Sequence, residues 1–567
     1  MLSSILVIVP FLTVINAAND WSVPCITGQC SYDLPTTNNG SASGTVTIWG
    51  SNDAISDITP AADWEILGCD PNALSQDIRL VCKSDSPTAK CSHLYQSAGP
   101  VNKIVRLPEN CGSSAFARVS KAWVPADQSV PASIAARLVR RDGTPPPQVK
   151  ALSLDTNFGA VDHSKTGIVN IVIQGANVPG AAGTFQVPPS KRSTRVSQRS
   201  ILGFVKNAVK SIASNSINVN KSVNLKPLDL TKTVNLLNKS VKCGAVTASV
   251  KADLDGSVHA TASVGVAASG TIIPPKITDF GIITGLTAKL DGTLDLTADV
   301  AGSIDSGKIP LINVGVPGLD FPGILTVGPS FQVNAEFTGT FDLNLDMKVG
   351  IVFDVNNAQL SFPPGSGAAP AAKAFSIGDT PLTLSASPDV KATGTIAAHL
   401  IPSLNLGVSA LGGAADATIF LDLDASASLK LSLEASATAA TVTVIKNPAA
   451  AATAAVGAAK KAAARAVTTS FGGCFEVDGG VAVNAGADGS FFGLFDKSAQ
   501  KTLFSKEFVI FKKCFGAGAS RRSLALLSRL DRESSLERRA LSCPAASVKS
   551  PVSVVDETVK AAAIKAA

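Results

Sequence analysis

Every tryptophan and tyrosine of this chain lies before residue 124: Trp21, Trp49, Trp64, Trp123, Tyr32 and Tyr95. Beyond that point phenylalanine is the only aromatic. Indole and phenol rings stack on the C–H faces of sugars and keep a polar edge for hydrogen bonding. These six are therefore the candidate ligand-contacting residues, and a glycan is the ligand they suit. The same segment holds Cys25, Cys30, Cys69, Cys82, Cys91 and Cys111, an even set that reads as a disulfide framework whose pairing the sequence leaves open. Cys25 and Cys30 are the only close pair, and a structural zinc site wants several paired ligands at short spacing, so no metal is assigned. Cys474 and Cys514 bracket the last β segments and are the remaining disulfide candidates, which leaves Cys243 and Cys543 over, with no bridge assigned between them.

Catalytic chemistry finds little to use. The four histidines, His93, His163, His259 and His399, stand apart from one another in sequence, and no zinc-protease, serine-hydrolase or phosphate-loop motif occurs. Many aspartates are present, so a glycosidase-like carboxylate pair is conceivable, but their sequence spacing singles out none. Asp342, Asn344 and Asp346 share the opening spacing of an EF-hand loop, yet Met347 occupies the position where that loop needs glycine. A solvated polar face is the better reading, and no catalytic residue or cofactor is assigned.

The first residues, MLSSILVIVPFLTVINAAND, carry an apolar run ending in Ala17 and Ala18, too short to span a bilayer and suited to a secretory signal. No later stretch is apolar for long enough to form a membrane helix, so no transmembrane segment is expected after cleavage. The destination is read as secreted, extracellular or cell wall. Sequons at Asn39, Asn220 and Asn238 are the glycan-acceptor candidates. Dibasic pairs at Arg140-Arg141, Lys191-Arg192, Arg521-Arg522 and Arg538-Arg539 read either as processing sites for kexin-like proteases or as parts of solvated linkers.

The elements that must position these residues announce themselves by periodicity. From Leu325 to Val355 apolar and polar residues alternate almost without a break, which is a two-faced β-sheet. Similar alternation runs through Val246 to Ala268, Leu286 to Ile304, Leu382 to Leu400, Ala415 to Ala437 and Phe475 to Phe491. Several stretches share a theme, seen in Ala252 to Val258, Ala288 to Leu294, Ala335 to Phe341 and Ala392 to Ile396, and read as divergent copies of one β unit. Unequal spacing disfavours a regular solenoid or propeller. At Asp291-Gly292 a two-residue hairpin is excluded, because it sets apolar against polar residues on one face. A three-residue bulged loop or an unbroken strand both preserve parity, and some strands well beyond average length are expected.

Charge divides the chain. Arg137 to Lys210 holds eleven Lys or Arg against three Asp, whereas Val241 to Ala440 holds nine Lys and no Arg against eighteen Asp or Glu. An acidic sheet is no nucleic-acid partner. Without tryptophan or tyrosine girdles it is also a poor membrane barrel. Residues 201 to 212 place Ile201, Leu202, Phe204, Val205, Val209 and Ile212 on one helical face with Lys206 and Lys210 opposite, expected to dock on the protein itself rather than on a membrane.

The expected organisation is therefore a signal peptide over 1–18, a Cys- and Trp-containing domain over 19–128, and a basic connector with short strands and an amphipathic helix over 129–220. A large repeated-β domain follows over 221–515, with an Ala-rich helix or loop at 448–467, and a basic tail over 516–567. The fold class is mainly β: a small disulfide-bonded N-terminal domain plus a large amphipathic antiparallel sheet, in a sandwich or open barrel, with minor helices.

The stretches WSVPCITGQCSYDLP, AISDITPAADWEILGCDPNALSQDIRLVCKS, KIVRLPENCGSSAFARV and HLIPSLNLGVSALGGAADATIFLDLDAS resemble uncharacterised secreted proteins of mushroom-forming (basidiomycete) fungi, across most of the chain. That resemblance implies a two-part extracellular protein and brings no catalytic residues. Together the expectations are a noncatalytic extracellular or cell-wall interaction protein whose partner is a wall polysaccharide or another extracellular protein. Two alternatives stand beside it: a carrier whose sheet encloses an apolar, lipid-like ligand against Phe331, Phe337 and Phe341, and a secreted hydrolase.

Overall fold

The structure is a computed structural model of the chain, and it describes residues 19, 21–34, 43–84, 86, 88–138, 147–177, 205, 207–208, 228–243, 246–316, 318–362, 374–386, 392–413, 415–443, 466–490, 499–515, 541–543, 552–559 and 562–563. The protein is mainly β, as the alternation requires. The first strands are β1 (Gln29–Asp33), β2 (Ser43–Trp49), β3 (Ile55–Asp57), β4 (Trp64–Gly68), β5 (Gln76–Cys82), β6 (Ile104–Arg106), β7 (Phe116–Trp123), β8 (Lys150–Asp155) and β9 (Val169–Ala176). The long strands follow: β10 (Leu228–Cys243), β11 (Val246–Ile273), β12 (Lys276–Asp305), the short β13 (Ile309–Gly315) and β14 (Leu319–Phe321), then β15 (Leu325–Phe362). The chain continues with β16 (Phe375–Ile377), β17 (Thr380–Ala386), β18 (Ala392–Ala410), β19 (Ala415–Thr443), β20 (Ala466–Ser490), β21 (Ala499–Phe515), β22 (Val552–Val559) and β23 (Ala562–Ala563).

Two sheets result. The smaller runs β3-β6-β7-β8-β5-β4, with one parallel pair between β3 and β6. The larger is antiparallel and open: β1, β2 and β9 lead into β11, which pairs with β12, and β12 with β15, followed by β18, β19, β20 and β21. Residues 129–220, read from sequence as a connector, thus supply β8 to the interior of the small sheet and β9 to the large one. The two halves share strands from one stretch of chain. Of the expected docking helix, Val205, Asn207 and Ala208 are described; they are helical, and Val205 and Ala208 are buried.

The glycines of the repeated theme do not turn the chain. Gly256 lies directly opposite Gly292, and Gly292 opposite Ile351, all within continuous ladders. β15 alone runs 38 residues, about 125 Å if straight. The turns fall elsewhere, as at Leu411-Gly412-Gly413, where three successive positive φ angles of 52°, 73° and 85° reverse the chain between β18 and β19. Two of those three positions are glycine, which adopts that region without penalty. Gly44 and Gly175 serve packing instead: an added Cβ at either would meet the Leu319 side chain at 3.2 Å or less, so β14 rests directly on β2 and β9.

Burial follows the alternation residue by residue. Along β19, Ala417, Ile419, Leu421, Leu423, Ala425, Ala427, Leu429 and Leu431 are buried while the residues between them are not. Each such Leu, Ile or Val contributes roughly 1.5–3 kcal/mol on leaving water. What covers this face is the sheet itself. Leu294 of β12 and Val477 of β20 line one small void together with Met347, Val349, Leu382, Ile396 and Leu429. In a flat sheet β12 and β20, four strand spacings apart, would lie about 19 Å from one another. The large sheet therefore rolls over and packs its apolar face against itself. On the polar phase of β10, Asn238 is exposed, and the Lys232 ammonium donates at 3.1 Å to the carbonyl of Leu311, the residue left over at a bulge in β13.

Five disulfides join Cys25–Cys30, Cys69–Cys111, Cys82–Cys91, Cys243–Cys543 and Cys474–Cys514. The tail is built into the fold: Ser542 exchanges backbone hydrogen bonds with Ala301, β22 pairs with β17, and β23 with β16. The signal segment, Asn39, Asn220, the four dibasic pairs and residues 448–465 of the Ala-rich run lie outside the described residues, and Ala466 and Val467 already belong to β20.

Candidate functional site

The structure disperses the six aromatic candidates. Tyr32, Trp49 and Trp64 are buried. Tyr32 packs edge-on to Phe116 at 6.5 Å between centroids and to Trp21 at 6.4 Å, and burial pushes its hydroxyl pKa up to about 12. Trp21 is half-buried, and the Arg106 guanidinium sits 5.0 Å from its ring centroid. That guanidinium is fixed by Asp57 and the Val23 carbonyl, each at 2.8 Å, and the pair is sequestered, with side-chain exposures of 5% and 0%. One face of Trp21 is thus permanently covered. Tyr95 leans on Trp64 at 6.4 Å, Lys150 lies 5.5 Å from its centroid, and burial raises its hydroxyl to about 12 as well.

Trp123 is different. It ends β7 half-buried, as Trp21 is, but its cation neighbour, Lys121 at 5.0 Å, is an exposed side chain rather than a buried ion pair. Register defines what surrounds it. Directly opposite residues of an antiparallel pair share a face. Trp123 opposes Ala151 of β8, which opposes Arg79 of β5; Lys121 opposes Ser153, which opposes Asp77. All six project from the face opposite the small sheet's own core, which is built from Ala122, Leu152 and Ile78 in the intervening positions. The Ser153 hydroxyl donates to Asp77, and Arg79 donates to the carboxylate and carbonyl of Asp127. Hydrogen bonds from Ser129, with Arg79 beside it, hold the Asp127 carboxyl below the usual range, so it stays charged. The result is an indole at one end of a row of ammonium, hydroxyl and carboxylate groups: an apolar plate beside groups that both donate and accept.

Sequence reasoning named Trp123 and missed its companions. The spacing of Lys121 and Trp123 puts both on one face of a strand, but Asp77, Arg79 and Ser153 come from strands whose pairing no local pattern reveals.

Three of the four histidines are engaged in structure, while His163 is exposed. His93 meets the buried Ser56 hydroxyl at 3.1 Å, and burial lowers its pKa. Lys103 is buried beneath it and donates to the His93 carbonyl at 3.0 Å. On the outer face of the large sheet His399 pairs with Asp424 at 2.9 Å, and that hydrogen bond raises its pKa, while burial raises Asp422 nearby. His259 pairs with Asp229. Among the described residues no three His, Cys, Asp or Glu converge on a metal geometry, and no helix is long and apolar enough to cross a membrane.

Phe331 and Phe337 are buried core residues, and the side chain of Phe341 lies outside the description. A void lined by Leu294, Met347 and Val477 measures about 10 Å³. Pockets for drug-sized ligands run to roughly 300–1,000 Å³.

No family model, curated protein or solved structure matches the chain.

Proposed function

We propose that the protein is a noncatalytic extracellular or cell-wall interaction protein that contacts polysaccharide through the Trp123 end of its small sheet, beyond the part of the same face where Ile104 and Phe116 are buried against the large sheet's core. The observation that carries this reading is the half-buried Trp123 at the head of the Lys121, Ser153 and Asp77 row. A pyranose presents an apolar C–H face and a rim of hydroxyls; the indole matches the first, and the ammonium, hydroxyl and carboxylate match the second. Five disulfides suit the oxidising compartment that such a role requires. An exposed Asn238 on β10 is accessible as a glycan acceptor there. The resemblance to secreted proteins of mushroom-forming fungi points to the same setting, and the themes around Gly256 and Gly292, opposed in the ladder, are read as copies of one β unit.

The test needs the whole chain, because an isolated 19–128 fragment lacks β8, the strand that β5 and β7 both require. Intact protein is passed over chitin and β-glucan beside Trp123→Ala. Retention of the parent and loss in the variant support the proposal; equal behaviour of the two, or no retention on any wall polymer, removes it.

A further inference from the structure

The C-terminal segment is a strand donor. β22 lies along β17 from Thr380 opposite Val559 to Ala386 opposite Val552, and β23 continues onto β16, where Ser376 opposes Ala563. Without this donor the edge of β17 and β16 presents unpaired backbone groups, the feature that invites strand addition. What ties the donor to its own sheet is short. Cys543 is held covalently to Cys243 at the end of β10, and Ser542 is bridged to Ala301 of β12. Only residues 544–551 separate that anchor from β22, a reach of about 30 Å at full extension. The span needed is about 19 Å, because β12, β15, β17 and β22 are successive neighbours and the anchor lies one spacing beyond β12. The tether reaches its own edge comfortably and a neighbouring molecule's edge only with difficulty.

Without the disulfide only the two backbone hydrogen bonds between Ser542 and Ala301 hold the anchor, and when they open the tether becomes 516–551, running from the end of β21, with a reach of about 125 Å. Effective concentration falls as roughly the −3/2 power of tether length, so lengthening it about fourfold lowers the intramolecular advantage about eightfold. A second copy carries the identical donor, so exchange needs no new complementarity, and reciprocal exchange closes a symmetric dimer. We propose that the β17–β16 edge is a strand-exchange site for a second copy of this chain, and that the Cys243–Cys543 disulfide confines the C-terminal strand to its own sheet.

Thr383 and Asp556 lie directly opposite one another across the β17–β22 ladder, and they allow a direct test. One chain carries Thr383→Cys and another, of different mass, carries Asp556→Cys, both with Cys243→Ser and Cys543→Ser. After mixing at about hundred-micromolar concentration and mild oxidation, a covalent heterodimer is expected, and the same pair with the native disulfide intact should give none. No heterodimer in the serine background, while one chain carrying both new cysteines cross-links within itself, overturns the proposal; so does failure of that single chain to cross-link, since the ladder itself would then be absent. If the serine background does not fold, the otherwise native chain ending at residue 551 and carrying Thr383→Cys is offered a synthetic peptide of residues 552–563 with Asp556→Cys. Capture of the peptide supports an edge open to a donor in trans, and no capture overturns it.

Discussion

Leu294 and Val477 sit in strands separated by three others, yet they border the same void, with exposures of 1% and 3%. Truncating Leu294 to alanine removes buried methyl groups from a packed interior and should cost about 3 kcal/mol; Val477→Ala, with less volume lost, should cost about 2 kcal/mol. If the large sheet rolls over, the two truncations open one shared cavity. The second then removes contacts that the first has already weakened, and the double variant should fall short of the sum by about 1 kcal/mol. Were the sheet flat, side chains at least about 19 Å apart would share no partner and their effects would add. Guanidinium unfolding of the parent, both single variants and the double variant supplies the cycle, with an unchanged m-value showing that the unfolded state is the same. Additivity within about 0.5 kcal/mol would refute the roll and leave the apolar face to be covered by something other than the sheet.

Other consequences are checked as readily. Arg106→Ala strands the carboxylate of Asp57 in a site with no exposure and should lower stability by about 3–5 kcal/mol in denaturant titration; a loss under about 1 kcal/mol would show the ion pair to be incidental. Raised pKa values predict a large sheet more stable in mild acid. The hydrogen bond that His399 donates to the Asp424 carboxylate, with Glu336 also near, raises its pKa, so its contribution is complete below about pH 6.5 and disappears as pH climbs through the folded value. Burial raises Asp422, so ionising it as pH rises past the ordinary carboxylate range also costs stability. Thermal midpoints between pH 5 and 8 should therefore fall more steeply with pH in the parent than in Asp424→Asn, since the lowered pKa of His93 acts in the opposite direction equally in both; identical profiles contradict the assignment.

Much of the fold was legible because period-two alternation is local. β11, β12, β15, β19 and β20 can each be read from their own residues, since one phase of each must face the core. Gly256 and Gly292 could not decide between turn and strand, because both options keep the same parity; long-range pairing decides, and it carries the strands straight through. β22 was hidden because eight residues of mixed polarity owe their extended form to the edge of β17 rather than to their own pattern. Cys243 and Cys543 are 300 residues apart and were visible only as a remainder. At the candidate site all six aromatics were legible as types, but not which ring faces solvent: Trp49 in alternation looks much like Trp123, and only the second sheet face separates them. The His399–Asp424 pair was invisible for the same reason, being a product of the register between β18 and β19.

The central functional claim concerns one indole among four. Tryptophan emission followed while soluble oligosaccharides of chitin and β-glucan are titrated into the intact protein addresses it directly, because Trp49 and Trp64 are buried and Trp21 is capped by Arg106. A saturable change that disappears in Trp123→Ala, with the variant's unfolding midpoint unaltered, is the result predicted. A saturable change that survives in the variant would place the contact elsewhere, and no change with any wall oligosaccharide would contradict the glycan-binding account.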